Sequence, residues 1–207
     1  MNSKRLYIIR HGQTDLNKQG IVQGSGVDSS LNDLGRKQAD AFYQKYKNHP
    51  FDKVYTSALK RTKETVAQFT VAGFPTEAHA GLNEISWGVC EGKTPSDEQK
   101  AKYKNLLNAW ASGDLTPYYE GGETLQEVAD RQQEAMKKIL SEADTKEVLI
   151  AMHGRAIRIL LGWFVNDSLT NMDKFTHSNL TLYVVDWEEG SGAKIQVFDD
   201  RSHLEGL

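Results

Sequence analysis

Two short apolar runs, each leading to a His-Gly pair, stand out along the chain. The first, Leu6–Ile9, leads to His11, and the second, Val148–Met152, leads directly to His153. Unbroken apolar runs of this length are typical of strands buried on both faces of a parallel sheet. Neighbouring strands lie about 4.8 Å apart, and ligands bind beyond the carboxyl ends of parallel strands. We therefore expect both imidazoles to face one ligand.

Strands and helices alternate along the rest of the chain, which predicts an α/β fold. The expected architecture is a three-layer sandwich with a mostly parallel central sheet, flanked by helices on both faces and ending in an antiparallel element. A long polar loop is expected between the first strand and Ser30. The predicted strands are Lys53–Thr56, a segment near Thr76–His79, and two tail strands around Leu180–Val184 and Ile195–Val197. The predicted helices are one capped by Asn32, one capped by Ser57 and running through Gln68, and Ser96–Ala111, Thr124–Ala143 and Arg155–Phe164.

Length and composition narrow the class of protein. The 207 residues fit one domain spanning 1–207, and a net charge of −3 gives no reason to expect a nucleic-acid or membrane partner. The longest apolar stretch, Ile159–Val165, is far shorter than the roughly 20 residues that span a membrane. Cys90 has no possible intramolecular disulfide partner, and no leader-like segment precedes Leu6. We therefore expect an intracellular, cytoplasmic protein.

The residues beside the two histidines are suited to a phosphoryl group. Such a group needs cations to neutralise it, a nucleophile in line and an acid for the leaving oxygen. Arg10 and Arg61 supply guanidinium groups, and backbone N–H groups at Gly12 and Gly154 are available to assist. A neutral imidazole attacks phosphorus, and a cationic one stabilises its oxygens, so the residue types alone leave the roles of the two histidines open.

The acid is expected in the loop between residues 82 and 92. Glu84 is the first candidate and Glu91 the second, because a carboxyl group beside a bound phosphate dianion is disfavoured as an anion and is kept protonated for the leaving group. The segments 88–97 and 112–122 are predicted to form the substrate wall. The other histidines, His49, His79, His177 and His203, show no ligand spacing and are interpreted as surface or packing residues.

A series of short motifs follows in order along nearly the whole chain. The motifs are Arg10–Thr14 with Asn17, Gln23-Gly24, Leu31–Gly35 with Gln38-Ala39, Thr56–Thr62, Leu82–Glu84, Gly121–Thr124 with Arg131, and His153-Gly154. In these motifs the chain resembles the histidine phosphatase superfamily, also called the phosphoglycerate mutase-like family.

The resemblance implies a role for each matched residue. His11 corresponds to the phosphorylated nucleophile and Glu84 to the proton donor and acceptor. The phosphate pocket corresponds to Arg10, Arg61 and His153, with Asn17, Gln23, Gly24 and Gly154 as further substrate-binding positions. No metal and no other cofactor is implied.

Within the family, the segment Leu82–Thr94 is most similar to phosphatase members, and specifically to the fructose-2,6-bisphosphatase domain. The cofactor-dependent mutases carry Glu-Arg-His-Tyr-Gly at the corresponding place, which this sequence lacks. The chain departs from the bisphosphatase pattern at Gly154, where that domain has glutamine, and in a tyrosine-rich run of which only Tyr118-Tyr119 remains.

The sequence therefore predicts a metal-independent phosphatase that hydrolyses a small phosphate monoester, such as a sugar phosphate, through a phosphohistidine at His11. Two alternatives stay open. One is a phosphoglycerate mutase that uses the same histidine, and the other is a non-catalytic module that binds a phosphate group. Neither the physiological substrate nor the oligomeric state follows from the sequence.

Overall fold

A six-stranded sheet forms the middle of the protein. The computed structural model describes residues 2–165 and 168–207. The strands are β1 (Ser3–Arg10), β2 (Lys53–Thr56), β3 (Thr76–Ala78), β4 (Glu147–Met152), β5 (Leu182–Glu188) and β6 (Gly192–Asp200). Their order across the sheet is β3-β2-β4-β1-β5-β6. The first four strands in this order are parallel to one another, β5 pairs antiparallel with β1, and β6 pairs antiparallel with β5. The predicted mostly parallel sheet with an antiparallel tail is therefore confirmed.

Helices cover both faces of the sheet, and the described residues contain seven α-helices in all. They are α1 (Asp15–Gln19), α2 (Asp33–Tyr46), α3 (Lys60–Thr65), α4 (Ala67–Val71), α5 (Asp97–Ser112), α6 (Leu125–Ser141) and α7 (Gly154–Phe164). Side chains on β1 and β4 alternate between two apolar clusters, as the two-residue period of a strand requires. One cluster includes α6 and α7, and the other includes α2 and α4. The three-layer prediction is therefore confirmed.

Three helices are capped close to where the sequence predicts them to begin. Asn32 accepts the Gly35 N–H at the start of α2, and Ser96 and Thr124 form capping boxes at the starts of α5 and α6. Each cap satisfies backbone donors that have no partner within the helix. These local signals explain why the predicted starts of these helices agree with the structure.

Two predictions about the chain between residues 12 and 71 were wrong. The polar loop after β1 contains the short helix α1, which Thr14 caps. The helix expected from Ser57 to Gln68 begins only at Lys60 and is interrupted at Val66. Thr65 Oγ1 donates to the Arg61 carbonyl at 2.6 Å, a side-chain bond that competes with the helical pattern and often bends a helix.

The strand register places the two His-Gly pairs side by side. Arg10 at the end of β1 is paired with Met152 at the end of β4, so His11 and His153 follow at the same edge of the sheet. In the described part of the chain, no helix is long and apolar enough to cross a membrane.

Candidate active site

A cleft of about 440 Å³ opens where β1 and β4 end. Six of the residues predicted as site residues line it, namely Arg10, His11, Asn17, Gln23, Glu84 and Gly154. A volume of this size suits a small molecule. Arg61, His153 and Gly24 are not among the lining residues, and Arg61 donates hydrogen bonds to the other two.

The ring of His11 is oriented by its own neighbour. The side chain is 3% exposed, and its Nδ1 lies 2.7 Å from the Gly12 carbonyl oxygen. A carbonyl only accepts, so Nδ1 carries the proton and Nε2 keeps its lone pair in the neutral ring. Burial lowers the pKa of His11 well below 6.5, and the positive charges of Arg10 and Arg61 lower it further. The structure therefore presents a neutral imidazole with a free Nε2.

His153 lies next to His11, but both of its nitrogens are bonded to protein atoms. The two ring centroids are 5.2 Å apart. Arg61 Nε donates to His153 Nδ1 at 3.2 Å, and His153 Nε2 lies 2.8 Å from Ser57 Oγ. Burial lowers the pKa of His153 well below 6.5, and Arg61 adds to this effect. His153 is therefore a neutral neighbour that supports the site from behind.

The two arginines predicted to bind phosphate differ in their surroundings. Arg61 is almost fully buried, and its two terminal nitrogens donate to the carbonyls of Val27 and Gly24 at 2.7 and 3.1 Å. Arg10 lines the cleft and donates through Nη1 to the His177 carbonyl at 2.5 Å. Burial lowers the pKa of Arg10 to about 10, which leaves it cationic at neutral pH.

Arg10 also has an N–H group without a hydrogen-bond partner among the described residues. Its Nε is buried and has no hydrogen-bond partner among residues 2–165 and 168–207. Buried N–H groups are nearly always paired, so an unpaired one beside a cleft is suited to a bound anion. Arg10 is therefore the better placed of the two arginines to meet a phosphate oxygen directly.

Glu84 is fixed at the N-terminus of α7. Its Oε1 accepts the Ala156 N–H at 2.8 Å and the Ile85 N–H at 3.0 Å, and its Oε2 accepts the Arg155 N–H at 3.0 Å. The side chain is 7% exposed and lines the cleft. Helix N-termini attract acidic groups, which explains why this carboxyl is held beside the end of β4.

Glu91, the second candidate acid, does not line the cleft. Its Oε1 accepts the Trp87 N–H at 2.7 Å and the Ser86 hydroxyl at 3.3 Å. The carboxylate packs closely against Gly24 and Gly26, where a Cβ would meet its oxygens. Of the two glutamates, the structure brings only Glu84 to the histidines.

Asn17 and Gln23 have structural contacts in addition to lining the cleft. Asn17 forms a capping box with Thr14, and Gln23 Nε2 donates to Thr14 Oγ1 at 2.8 Å. Asn179 Nδ2 donates to the His11 carbonyl at 2.9 Å and lies 3.4 Å from Asn17 Oδ1. These bonds connect the segment after β1 to the segment before β5.

The Gly12 N–H was predicted to assist phosphate binding, but it bonds to a side chain of the protein. Its N–H donates to Thr65 Oγ1 at 3.0 Å and is therefore engaged within the protein. A Cβ at this position would lie 2.6 Å from the Gly35 carbonyl oxygen, too close for any residue but glycine. The residue is therefore required by the close approach of two backbone segments.

His177 was wrongly interpreted as a surface or packing residue. It lines the cleft, and its Nδ1 lies 3.4 Å from Arg10 Nη1. Burial and the charge of Arg10 lower the pKa of His177 to about 3. A Cβ at Gly154 would lie 3.0 Å from the same Nδ1, so a side chain at position 154 competes with His177 for space. The sequence gives no local signal for His177, since its placement depends on the pairing of β5 with β1.

Ser57 was the other site residue that sequence reasoning misjudged. Its hydroxyl contacts His153 and accepts the Leu59 N–H at 3.1 Å, instead of capping a long helix. Its position in the matched motif Thr56–Thr62 was the available signal.

The substrate wall is largely aromatic and includes part of α5 as well as the two predicted segments. Trp87 lies 5.6 Å from Tyr103 and 6.2 Å from Tyr119, measured between ring centroids, and all three line the cleft. The segment 88–97 contributes Cys90 and Pro95, whereas the segment 112–122 contributes only Tyr119. Arg155 completes this wall and donates to the Tyr103 hydroxyl at 2.8 Å.

Within residues 2–165 and 168–207, no group of three or more His, Cys, Asp or Glu side chains is placed to hold a metal ion. The expectation of metal-independent chemistry stays a prediction, which an assay with a chelator tests.

The fold and the cleft define a three-layer α/β protein with a histidine, an arginine and a glutamate brought together at the edge of a parallel sheet. The model of the histidine phosphatase superfamily, branch 1, matches residues 6–200. The chain belongs to this superfamily.

Several individual proteins are similar to this chain over almost the full length of both sequences. The probable phosphatase C1687.21 of Schizosaccharomyces pombe is 30% identical, over 97% of this chain and 95% of its own. The fructose-2,6-bisphosphatase TIGAR of Mus musculus is 27% identical, over 98% of this chain and 96% of its own. The probable phosphoglycerate mutase GpmB of Cronobacter sakazakii is 27% identical, over 97% of this chain and 95% of its own.

Among solved structures, Bacillus stearothermophilus YhfR superposes with a TM-score of 0.82 at 26% identity, over 98% of this chain and 100% of its own. The predicted superfamily and fold are therefore confirmed. The protein is an enzyme of this superfamily, and its relatives are named as phosphatases and as mutases.

Proposed function

We propose that the protein is a metal-independent phosphomonoesterase that works through a phosphohistidine at His11. The observation that carries this proposal is the bond between His11 Nδ1 and the Gly12 carbonyl, which leaves Nε2 unprotonated in a cleft that Arg10 and Glu84 also line. A neutral, oriented imidazole beside a cation and a carboxyl group is the set that phosphoryl transfer to nitrogen requires.

The reaction takes two steps. In the first, the Nε2 lone pair of His11 forms a bond to phosphorus while the bond from phosphorus to the ester oxygen breaks, and Glu84 gives its proton to that oxygen. In the second, Glu84 takes a proton from water as the water oxygen attacks phosphorus. The bond from phosphorus to Nε2 then breaks, which restores His11 and releases phosphate.

The proposed substrate is a small phosphate ester. The cleft volume of about 440 Å³ and its aromatic wall support a small-molecule leaving group over a macromolecule. The phosphate-directed residues meet only the group common to all esters, so selectivity is expected from Trp87, Tyr103 and Tyr119. We infer that the reaction takes place in the cytoplasm, which cell fractionation tests.

A metal-free phosphate-release screen tests the reaction. It covers fructose-2,6-bisphosphate, other sugar phosphates, phosphoglycerates and nucleotides, with EDTA present throughout. A parallel assay follows conversion of 3-phosphoglycerate to 2-phosphoglycerate with a bisphosphoglycerate primer. Release from one ester far above the others supports hydrolysis and identifies the substrate. Primer-dependent conversion without release would contradict the proposal and indicate a mutase. Binding of phosphosugars without turnover would indicate a non-catalytic module.

A further inference from the structure

The guanidinium group of Arg131 on α6 holds the main chain that carries Glu84. It donates to three carbonyl oxygens in this segment, at Gly81, Asn83 and Glu84, over 2.8, 2.9 and 3.1 Å. Its two remaining N–H donors go to the carboxylate of Glu123, at 2.7 and 3.0 Å. All five donors of the guanidinium are therefore used, and three of them fix the segment that ends at Glu84.

Glu123 fixes the same segment on its other side. Its Oε2 accepts the Ser86 N–H at 2.7 Å, and its own N–H donates to the Ser86 carbonyl at 3.0 Å. The main chain is thus fixed on both sides of Glu84, by Arg131 at residues 81–84 and by Glu123 at Ser86. Arg131 and Glu123 belong to a motif that matched the superfamily but has no role in the proposed reaction.

Neither member of the pair lines the cleft. The two side chains are 22% and 24% exposed and form a two-point ion pair, so together they add no net charge to the site. Their hydrogen bonds reach the site through the backbone around Glu84, and besides burial the charge of Arg131 also lowers the pKa of His153. The tip of the Glu84 side chain is meanwhile fixed by the N–H groups of Arg155 and Ala156.

We propose that Arg131 and Glu123 form a positioning pair that sets where the Glu84 carboxyl meets the ester oxygen. This inference rests on the proposed role of Glu84 as the acid. Proton transfer requires the acid to be within hydrogen-bond reach of the leaving oxygen, and a displacement of about 1 Å is enough to cost about 100-fold in rate. A pair that acts only on overall stability would affect all substrates alike.

The test uses Glu123→Gln and Arg131→Lys. Glutamine keeps the size of Glu123 but turns an NH₂ group towards N–H donors, and lysine keeps the charge of Arg131 but lacks the planar fork. The matched control is Asp186→Asn, which removes the partner of another two-point arginine pair, Arg5 with Asp186, on the outer surface of β1 and β5. Circular dichroism and thermal melting verify that each variant is folded at the assay temperature.

The informative quantity is the ratio of kcat/KM for an alkyl phosphate to that for p-nitrophenyl phosphate. For each ester, kcat/KM reports the step in which the leaving group departs. The p-nitrophenolate leaving group needs little help from an acid, whereas an alkoxide needs a proton. We expect both variants to lower kcat/KM about tenfold or more for the alkyl ester and less than about threefold for the nitrophenyl ester. Inhibition by inorganic phosphate is expected to be unchanged. Asp186→Asn is expected to leave all three quantities unchanged.

The same substitutions in a Glu84→Gln background separate the pair from the acid. If the pair acts through Glu84, Glu123→Gln causes no further change in the ratio there. Two results would overturn the inference while the acid role stands. One is an equal loss of kcat/KM for both esters, and the other is a further loss for the alkyl ester alone in the Glu84→Gln background. If Glu84→Gln itself shows no preference between the esters, both the acid role and the positioning pair are overturned.

Discussion

The carboxylate of Glu84 is bound to the first turn of α7, where its Oε1 accepts the Ala156 N–H at 2.8 Å. Because α7 begins directly after β4 and His153, this bond connects the proposed acid to the strand that neighbours His11. The distance between acid and nucleophile is therefore set by regular secondary structure, although Glu84 itself lies in a loop.

The first prediction concerns Glu84→Gln. Glutamine cannot give a proton to the leaving oxygen, so kcat/KM is expected to fall about 100-fold for an alkyl phosphate and less than about tenfold for p-nitrophenyl phosphate. Steady-state kinetics on the two esters measures this. Glu91→Gln is the matched control, since Glu91 lies in the same loop but is directed to the Trp87 N–H. A leaving-group preference in Glu91→Gln, or none in Glu84→Gln, would contradict the assignment.

The second prediction concerns His11→Ala. The variant lacks the attacking nitrogen, so turnover is expected to fall about 1,000-fold or more and no phosphorylated protein is expected after rapid quenching. Mass spectrometry of the quenched protein and a phosphate-release assay measure these effects. His49→Ala serves as the control, because His49 bonds to Glu147 near the start of β4 and lies far from the cleft. Trapped phosphoryl groups on a residue other than His11 would reject the mechanism.

The sequence was sufficient to predict the neighbouring placement of His11 and His153. Both follow apolar runs, and such runs form adjacent strands in a parallel sheet. Glu84 was found because one glutamate in the loop matched a motif, and the structure then separated it from Glu91. In each of these cases the information is local, in a strand pattern or a short motif.

The contacts that were missed depend on long-range pairing. His177 enters the cleft because β5 runs antiparallel to β1, which brings the residues before β5 to the end of β1. The expected binding of phosphate by Arg61 stays a prediction. What was missed is that its terminal nitrogens donate to the carbonyls of Val27 and Gly24, whose positions depend on the folded loop. The residue type does not predict the contacts of Arg61, since guanidinium N–H groups donate to carbonyl oxygens as well as to phosphate oxygens.

The third prediction concerns stability and pH. The pKa of His177 is lowered to about 3 in the folded protein, whereas an unfolded histidine titrates near 6.5. Between these values the unfolded chain binds more protons, so stability falls as pH falls below about 6.5. His11 and His153, whose pKa values are also lowered, act in the same direction. The midpoint of thermal unfolding is expected to fall by about 5 °C or more between pH 7 and pH 5.

His177→Gln isolates one of these groups. Glutamine does not titrate, so the number of protons taken up on unfolding at pH 5 is expected to fall by about one relative to the unsubstituted protein. The dependence of unfolding free energy on pH between 5 and 6.5 gives this number. An identical slope in both proteins would show that His177 is not held neutral in the folded state.

The last prediction concerns Gly12→Ala. The added Cβ would lie 2.6 Å from the Gly35 carbonyl oxygen, and both atoms belong to backbone that is fixed by β1 and α2, so neither yields easily. We expect a loss of about 2 kcal/mol in the free energy of unfolding. Turnover is also expected to fall, because any shift of residue 12 moves the carbonyl that orients His11. Urea unfolding and kcat for p-nitrophenyl phosphate measure the two effects.

Gly73→Ala provides the comparison for Gly12→Ala. Gly73 has a φ of +94°, and a Cβ added there would meet no atom within 4 Å, so alanine adds backbone strain of about 1 kcal/mol without a clash. Gly73 follows α4, away from the cleft, and the variant is expected to lose stability but keep its turnover. If Gly12→Ala behaves in the same way, the approach of residue 12 to α2 contributes to folding alone. If Gly12→Ala loses turnover out of proportion to its stability, the orientation of His11 depends on that approach.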